Sequence, residues 1–289
     1  MDVISALREQ DGKLAAREQK VADFVKANLD QISTLTIAEL ADSAGVSTPT
    51  VIRFCRSLGC EGYRDFKLRL AQNLAVSLQY LQSERSAELP RAETALDQVL
   101  ASMYATANAM RQQLDRGQVD RAAKVILGAR QLVVAGIGGG SSMLASEAAN
   151  RFFRLGIPAV AISDSYLLQM RAATLRAGDA LLLISASGEA DAIVASARIA
   201  KGYGASTVAI TKIRSRLSDV VQLAVTTDLP EDPDIFKPTA SRYAFLAILD
   251  TIAMTVAYAQ KDVTVENLRR IRSSLTAYHG RTGEQPLGD

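Results

Sequence analysis

The stretch Gln131–Gly156, QLVVAGIGGGSSMLASEAANRFFRLG, decides how the rest of the chain is read. Leu132, Val133, Val134 and Ala135 form a short apolar run without charge, which suits a parallel strand buried on both faces. Gly136, Gly138, Gly139 and Gly140 follow, and they let the backbone turn sharply and come close to a ligand. Ser141 or Ser142 is expected to cap the next helix, whose free amides and positive dipole end would point into the same space. Strand, glycine loop and helix N-terminus together make an anion site.

A second stretch repeats this logic. Asp179-Ala-Leu-Leu-Leu-Ile184 reads as another buried strand, and Ser185-Ala186-Ser187-Gly188-Glu189 as a small hydroxyl-rich turn before a helix over 190–203. In an open parallel sheet the loops at the carboxyl ends of the strands share one edge, where ligands sit. Two serine-bearing turns on that edge could wrap one phosphate without any cation. A dinucleotide site is the rival reading of Gly136-Ile-Gly-Gly-Gly-Ser141, with Asp164 as the ribose acid. Ser141 stands where that fingerprint wants a third glycine, and the second serine turn favours a phosphate ester.

Working outward, strands are expected at 132–135, 158–162, 180–184, 206–210 and 221–226, with helices at 142–155, 165–175, 190–203 and 241–260 between and after them. This alternation predicts a five-stranded parallel sheet covered on both sides, a doubly wound α/β domain. Two further helices, 94–114 and 117–129, lead into it.

Residues 1–80 read as helical throughout. Thr36 with Glu39 forms a capping-box signature, a short helix runs through Ile37, Leu40 and Ala41, and Gly45 offers a turn. Ser47 would cap the next helix, with Pro49 in its first turn. Val51, Ile52, Cys55 and Leu58 are assigned to its apolar side, which leaves Thr48, Thr50, Arg53 and Arg56 outside. This is a helix-turn-helix, whose second helix enters the major groove. Ser47, Thr48, Thr50 and Arg53 fall at the base-facing end, and Arg56, Arg64, Lys67 and Arg69 are placed as phosphate clamps. An ordinary helical hairpin with a solvated basic face is the alternative.

The composition sets outer limits. At 289 residues the chain suits one large domain or two ordinary ones, and 48% hydrophobic content supports a proper core. The net charge of +2 means that any basic patch is local. Cys55 and Cys60 are the two cysteines, with no metal-type Cys/His spacing, and reduced buried thiols outweigh a redox switch. The N-terminal residues have no apolar signal core, and no stretch is expected to be long enough to span a bilayer; a cytoplasmic protein without a membrane partner is expected. His279, the one histidine, lies near the tail, and Glu147, Glu189 and Glu231 lie near the ligand edge as surface or loop charges, with a carboxylate base as the alternative.

The chain resembles the RpiR-type bacterial transcriptional regulators, which join a helix-turn-helix domain to a sugar isomerase (SIS) domain. The resemblance rests on Leu40–Gly59, on Gly136-Ile-Gly-Gly-Gly-Ser-Ser142 and on Ser185-Ala-Ser-Gly188. It implies a sensor of a phosphorylated sugar or sugar acid, dimeric or tetrameric, that binds operator DNA and regulates carbohydrate genes without a cofactor or catalytic residues. Residues 229–242 look like the branch that senses ketodeoxyphosphogluconate. The family's serine turn usually ends in threonine where Ala190 stands here, and the first loop carries an extra glycine before Ser141. On this basis the domains are expected at 1–80 and 93–279, with a linker at 81–92 and a loose tail at 280–289. The effector residues are expected to be Gly138, Gly140, Ser141, Ser142, Ser185, Ser187, Gly188 and Glu189. A phosphosugar isomerase with a helical appendage is the alternative.

Overall fold

The computed structural model describes residues 3–71, 73, 92–229 and 239–279. These fall into two compact units that divide between residues 73 and 92. The expected linker, apart from a helix start at Ala92, and the expected tail lie outside the described residues, as does Glu231.

The first unit is all helical: α1 (Val3–Glu9), α2 (Ala16–Ala27), α3 (Leu29–Ile32), α4 (Ile37–Ser43), α5 (Thr48–Ser57) and α6, described over 63–71. The capping box before α4 is present: the Thr36 amide donates to Glu39 Oε2 at 2.7 Å, and the Glu39 amide donates to Thr36 Oγ1 at 3.3 Å. The Thr36 amide and hydroxyl hold the Glu39 carboxyl below its ordinary range. α4 closes through Gly45, and the Val46 amide returns to the Ala41 carbonyl. Val21, Val25, Ile32, Leu40, Val51, Phe54, Phe66 and Leu70 make one buried core. Phe54 and Phe66 meet edge to face there, with centroids 5.6 Å apart; truncating such a ring costs roughly 3–5 kcal/mol. Cys55 and Cys60 are free and buried in the same core. Burial and its neighbour Cys60 push the Cys55 thiol up to about 12, and burial also raises Cys60. Scarce thiolate makes both slow to oxidise.

The second unit opens with α7 (Ala92–Gln113) and α8 (Arg116–Leu127) and then alternates: β1 (Leu132–Gly136), α9 (Gly139–Arg154), β2 (Ala159–Ile162), α10 (Ser165–Thr174), β3 (Ala180–Ser185), α11 (Asp191–Gly202), β4 (Ser206–Lys212), α12 (Arg216–Val220) and β5 (Leu223–Thr227). α13 (Ala240–Ala259) and α14 (Lys261–His279) complete it. The five strands are all parallel, in the order β2-β1-β3-β4-β5. Side chains alternate across the sheet, as a period of two requires. Leu132, Val134, Leu182 and Ile210 face a core shared with α8, α9 and α13, whereas Val133, Leu181, Leu183 and Ala209 face α10 and α11. The doubly wound α/β expectation holds, and α12 and α14 are additions to it.

Two local expectations are corrected. Neither Ser141 nor Ser142 caps α9: Gly138 is the N-cap at φ 87°, and both serines lie inside the first turns. Ser47 is the N-cap of α5 but makes no side-chain cap bond; its hydroxyl meets Thr50 Oγ1 at 3.1 Å instead. A third correction concerns length. α13 is long and apolar enough, by length and composition, to cross a membrane, with a mean hydropathy of 1.3 over its best window. Its Phe245, Ile248, Leu249, Ile252 and Val256 are nevertheless buried in the core with α8, α9 and one face of the sheet.

One ion pair pins the start of β3. Arg130 reaches the Asp179 carboxylate through Nε and Nη2 at 3.0, 2.7 and 2.9 Å, and the Arg176 amide adds a bond at 3.1 Å. Burial pushes the Asp179 carboxyl up, but the Arg130 guanidinium and the Arg176 amide outweigh it and hold the group below the ordinary range. A lowered native pKa contributes stability above the unfolded value of about 3.9 and loses it as pH falls through the native value. Asp179→Asn should therefore lower the unfolding free energy by about 2 kcal/mol near neutrality. In denaturant melts this deficit should shrink as the pH is taken down to about 3; a deficit independent of pH would refute the assignment.

Candidate functional site

β1 lies between β2 and β3, so the chain leaves β1 in one direction and returns on the other side. The crevice opens at that switch point, outside the carboxyl ends of the strands. There a cavity of about 770 Å³ is lined by Ile137–Ser141 after β1, Ser185–Ser187, Glu189 and Ala190 after β3, Lys212–Ser215 after β4, and Thr239, Ser241, Arg242 and Phe245 at the start of α13. Its size suits a small organic ligand.

Gly136 makes the arrangement sterically possible. A Cβ at this position would strike the carbonyl of Ser141, so only glycine lets the first turn of α9 fold back onto the end of β1. The first amides of α9 have no intrahelical partner and face the crevice with the positive end of the helix dipole.

The expected effector residues separate into two groups. Gly138, Gly140, Ser141, Ser185, Ser187 and Glu189 line the cavity. Ser142 does not: its hydroxyl donates to the Gly139 carbonyl within α9. Gly188 is buried behind the turn, and its amide donates to Ser185 Oγ at 3.1 Å, so it is already committed. The Glu189 amide donates likewise to Ser187 Oγ at 3.3 Å. These bonds use serine oxygens as acceptors, which leaves the hydroxyl hydrogens of Ser185 and Ser187 available to a ligand.

The cavity also holds what the serine turns alone did not suggest. Lys212, Arg214 and Arg242 line it, against the single carboxylate of Glu189 among the described lining residues. Arg214 has φ 56°, the one positive value among described non-glycine residues; such a backbone costs about 1–2 kcal/mol. Arg242 is held by its own neighbour, with Nη2 donating to the Tyr243 hydroxyl at 3.3 Å. Glu189 is tied away from the centre: its Oε1 accepts from the Arg216 amide at 3.1 Å, and its carbonyl accepts from Arg216 Nη1 at 3.2 Å. Glu147 pairs with Arg154 on α9, and the Asp164 carboxylate caps α10 through the Leu167 amide, so neither joins the site. A separate cavity of about 650 Å³ lies among α7, α8 and α13. The hydroxyls of Thr106, Thr251 and Thr255, which line it, donate to carbonyls of their own helices.

In the helical unit the basic side chains divide in the same way. Ser47, Arg53, Arg56 and Arg64 are exposed and Thr48 is half-buried. Thr50 is fully buried, which corrects its expected place on the outer side. The buried stripe of α5 is Thr50, Val51, Phe54 and Cys55. Lys67 Nζ donates to the Leu35 carbonyl at 2.8 Å, beside the Tyr63 hydroxyl on the same acceptor. Arg69 is paired with Asp65 at 2.8 Å. Arg53, Arg56 and Arg64 are thus the exposed cations of the α5–α6 surface.

Comparison with known proteins agrees with both units. The helix-turn-helix domain of the rpiR family matches residues 1–77, and the SIS domain matches residues 126–255. The HTH-type transcriptional regulator HexR of Escherichia coli K12 is 34% identical over 95% of this chain and 94% of its own length. HexR of Pseudomonas aeruginosa is 33% identical over 95% of each. The bifunctional protein glk of Paraburkholderia xenovorans is 34% identical over 88% of this chain but only 40% of its own. Among solved structures, the Vibrio vulnificus NanR protein complexed with ManNAc-6P superposes with a TM-score of 0.57 at 24% identity, over 94% of this chain and 98% of that one. With a helix-turn-helix unit, a doubly wound SIS unit and full-length relatives of the same build, the chain belongs to the rpiR family of helix-turn-helix transcriptional regulators.

Proposed function

We propose that the chain regulates genes of carbohydrate metabolism from the cytoplasm, binding operator DNA through α5 and a phosphorylated sugar acid in the cavity of the α/β unit. The observation that carries the ligand reading is the convergence of the Ser185 and Ser187 hydroxyls with Lys212, Arg214 and Arg242 in one cavity. The serine turns, the Ser141 hydroxyl and the first amides of α9 suit a phosphate. The cations suit a second negative group, a carboxylate, which the phosphate ester of a neutral sugar lacks and ketodeoxyphosphogluconate has. Glu189, whose side chain accepts from the Arg216 amide at the rim, would take sugar hydroxyls only through its remaining carboxylate oxygen. The strain kept at Arg214 supports a ligand role, since strained residues cluster at functional sites. Among the described residues the one lining carboxylate, Glu189, accepts from a backbone amide.

The ligand reading is tested by melting the protein with ketodeoxyphosphogluconate, glucose 6-phosphate and inorganic phosphate. A ligand at a hundred times its Kd stabilises by about 2.7 kcal/mol, and the sugar acid should bind tightest. Ser187→Ala should weaken it about ten- to a hundredfold and leave DNA binding without ligand unchanged. Arg214→Gly should remove the preference for the acid over glucose 6-phosphate. Ala190 is the N-cap of α11 and makes no cap bond; Ala190→Thr should raise stability by about 1 kcal/mol and retain ligand affinity. Wild-type binding by Ser187→Ala would remove this turn from the phosphate site.

For DNA, we assign base contacts to Thr48 and Arg53 and phosphate contacts to Arg56 and Arg64, with Ser47 at the helix start. One short recognition helix reads few bases, so a homodimer, alone or within a tetramer, should bind half-sites about one helical turn or a multiple of it apart. The probe is the tightest duplex that the wild-type chain selects from a random-sequence library, compared with a scrambled duplex of the same composition. Arg53→Ala should lose affinity mainly for the selected duplex, and Arg64→Ala should weaken both and reduce the salt slope by about one. Equal losses on both duplexes for Arg53→Ala would remove it from base readout.

A further inference from the structure

Arg53 does not project freely from α5. Its Nε lies 3.5 Å from Oε1 of Glu18 on α2, and its Nη2 donates to Thr50 Oγ1 at 3.3 Å. Thr50 is fully buried and is itself in contact with Ser47 Oγ at 3.1 Å, so this second anchor is rigid. The Glu18 side chain is only 14% exposed, whereas that of Arg53 is 61% exposed. A guanidinium carries five N–H donors in a planar fork. Thr50 accepts one Nη2 hydrogen on the inner edge, and Glu18 stands as an ion-pair partner beside Nε on the same edge. The end edge, Nη1 with the second Nη2 hydrogen, is left for a partner, and this edge can pair with two acceptors of a guanine.

As a stabilising pair, Glu18–Arg53 has little to offer, since its arginine is largely in water, which screens the attraction at 3.5 Å. As part of a surface that meets DNA, an acid is unfavourable wherever phosphates approach. Both disadvantages make sense if the acid restricts what the arginine can do. Held at its inner edge, Arg53 must give up these contacts to reach the phosphate backbone, and the neighbouring charge offsets its attraction for any sequence alike. A base edge that presents two acceptors in the right place still gains both hydrogen bonds. We propose that Glu18 is a specificity-determining residue: it positions Arg53 for base readout and withholds it from phosphate. This inference rests on the reading of Arg53 as a base contact.

The test measures binding of the full chain to the selected and the scrambled duplex over a range of salt, for wild type, Glu18→Gln, Thr50→Val, Arg53→Ala and Glu18→Gln/Arg53→Ala, with melting curves to check folding. Glu18→Gln should tighten binding to the scrambled duplex and steepen its salt slope by about one, as one more phosphate contact would. The preference for the selected duplex should fall about tenfold, the scale of one base contact. Thr50→Val removes the other anchor without changing charge, and should lower the preference without steepening the slope. The double variant should show the same preference as Arg53→Ala alone. If Arg53→Ala lowers the preference and Glu18→Gln leaves both preference and slope at wild-type values, the role of Glu18 is overturned while base readout by Arg53 stands. If Arg53→Ala weakens both duplexes equally, base readout fails and the role of Glu18 fails with it.

Discussion

The contact between Gly136 and the Ser141 carbonyl is the constraint on which the α/β unit depends. A parallel strand and the helix after it are normally separated by the width of at least one side chain. Here that width is removed at the last residue of β1, so α9 starts at once and its free amides stand over the crevice. The turn after β3 is compressed in a related way, with Gly188 buried against Thr211 and Ser215 of the next strand and turn. The two serine hydroxyls are thereby held at fixed positions by backbone amides before any ligand arrives. A site ordered in advance costs less entropy on binding than one that must be assembled.

In the helical unit the controlling fact is the rotation of α5. Its buried stripe carries a threonine, and the hydroxyl that enters the core is satisfied by Ser47 and Arg53. This ties the N-terminal end of the helix to its most prominent cation. Lys67 and Arg69 look like free cations in the sequence, yet one is bound to a backbone carbonyl and the other to a carboxylate. Fewer side chains are therefore available to DNA than the count of basic residues suggests.

Most of the fold could be read from the sequence, for a physical reason. β1 and β3 are buried on both faces, and burial on both faces demands short unbroken apolar runs, here followed by glycine or serine turns. The capping box at Thr36 and Glu39 was legible because its hydrogen bonds are local. Helix phase was less legible at Thr50, because polar threonine can occupy a core position when a neighbour bonds its hydroxyl. Lys212, Arg214 and Arg242 could not be assigned to the cavity from sequence. They lie on a turn without a motif and on a helix far along the chain, and only the strand order brings them beside Ser185. Ser142 and Gly188 do not line the cavity, and intrachain hydrogen bonds use the groups that were expected to meet the ligand.

Acids at both candidate sites act chiefly on arginines. In the α/β unit Arg216 bonds the Glu189 carbonyl and the Asp191 carboxylate, and its own amide holds the Glu189 side chain. In the helical unit Glu18 stands beside Arg53. An arginine has a long side chain whose ordering can cost up to about 2 kcal/mol, and a neighbouring acid removes part of that cost before binding. It also lowers the attraction for any anion that merely carries charge. Selectivity then depends on shape and on the direction of hydrogen bonds, because indiscriminate attraction has been reduced. An enzyme of the same fold would need a group free to move a proton, with its pKa set near the working pH. A regulator needs instead to tell one ligand and one DNA sequence from their many charged competitors. Under the proposed reading the acid beside Arg53 would serve that need in the helical unit, whereas the cations that line the cavity, Lys212, Arg214 and Arg242, are other residues than the acid-held Arg216.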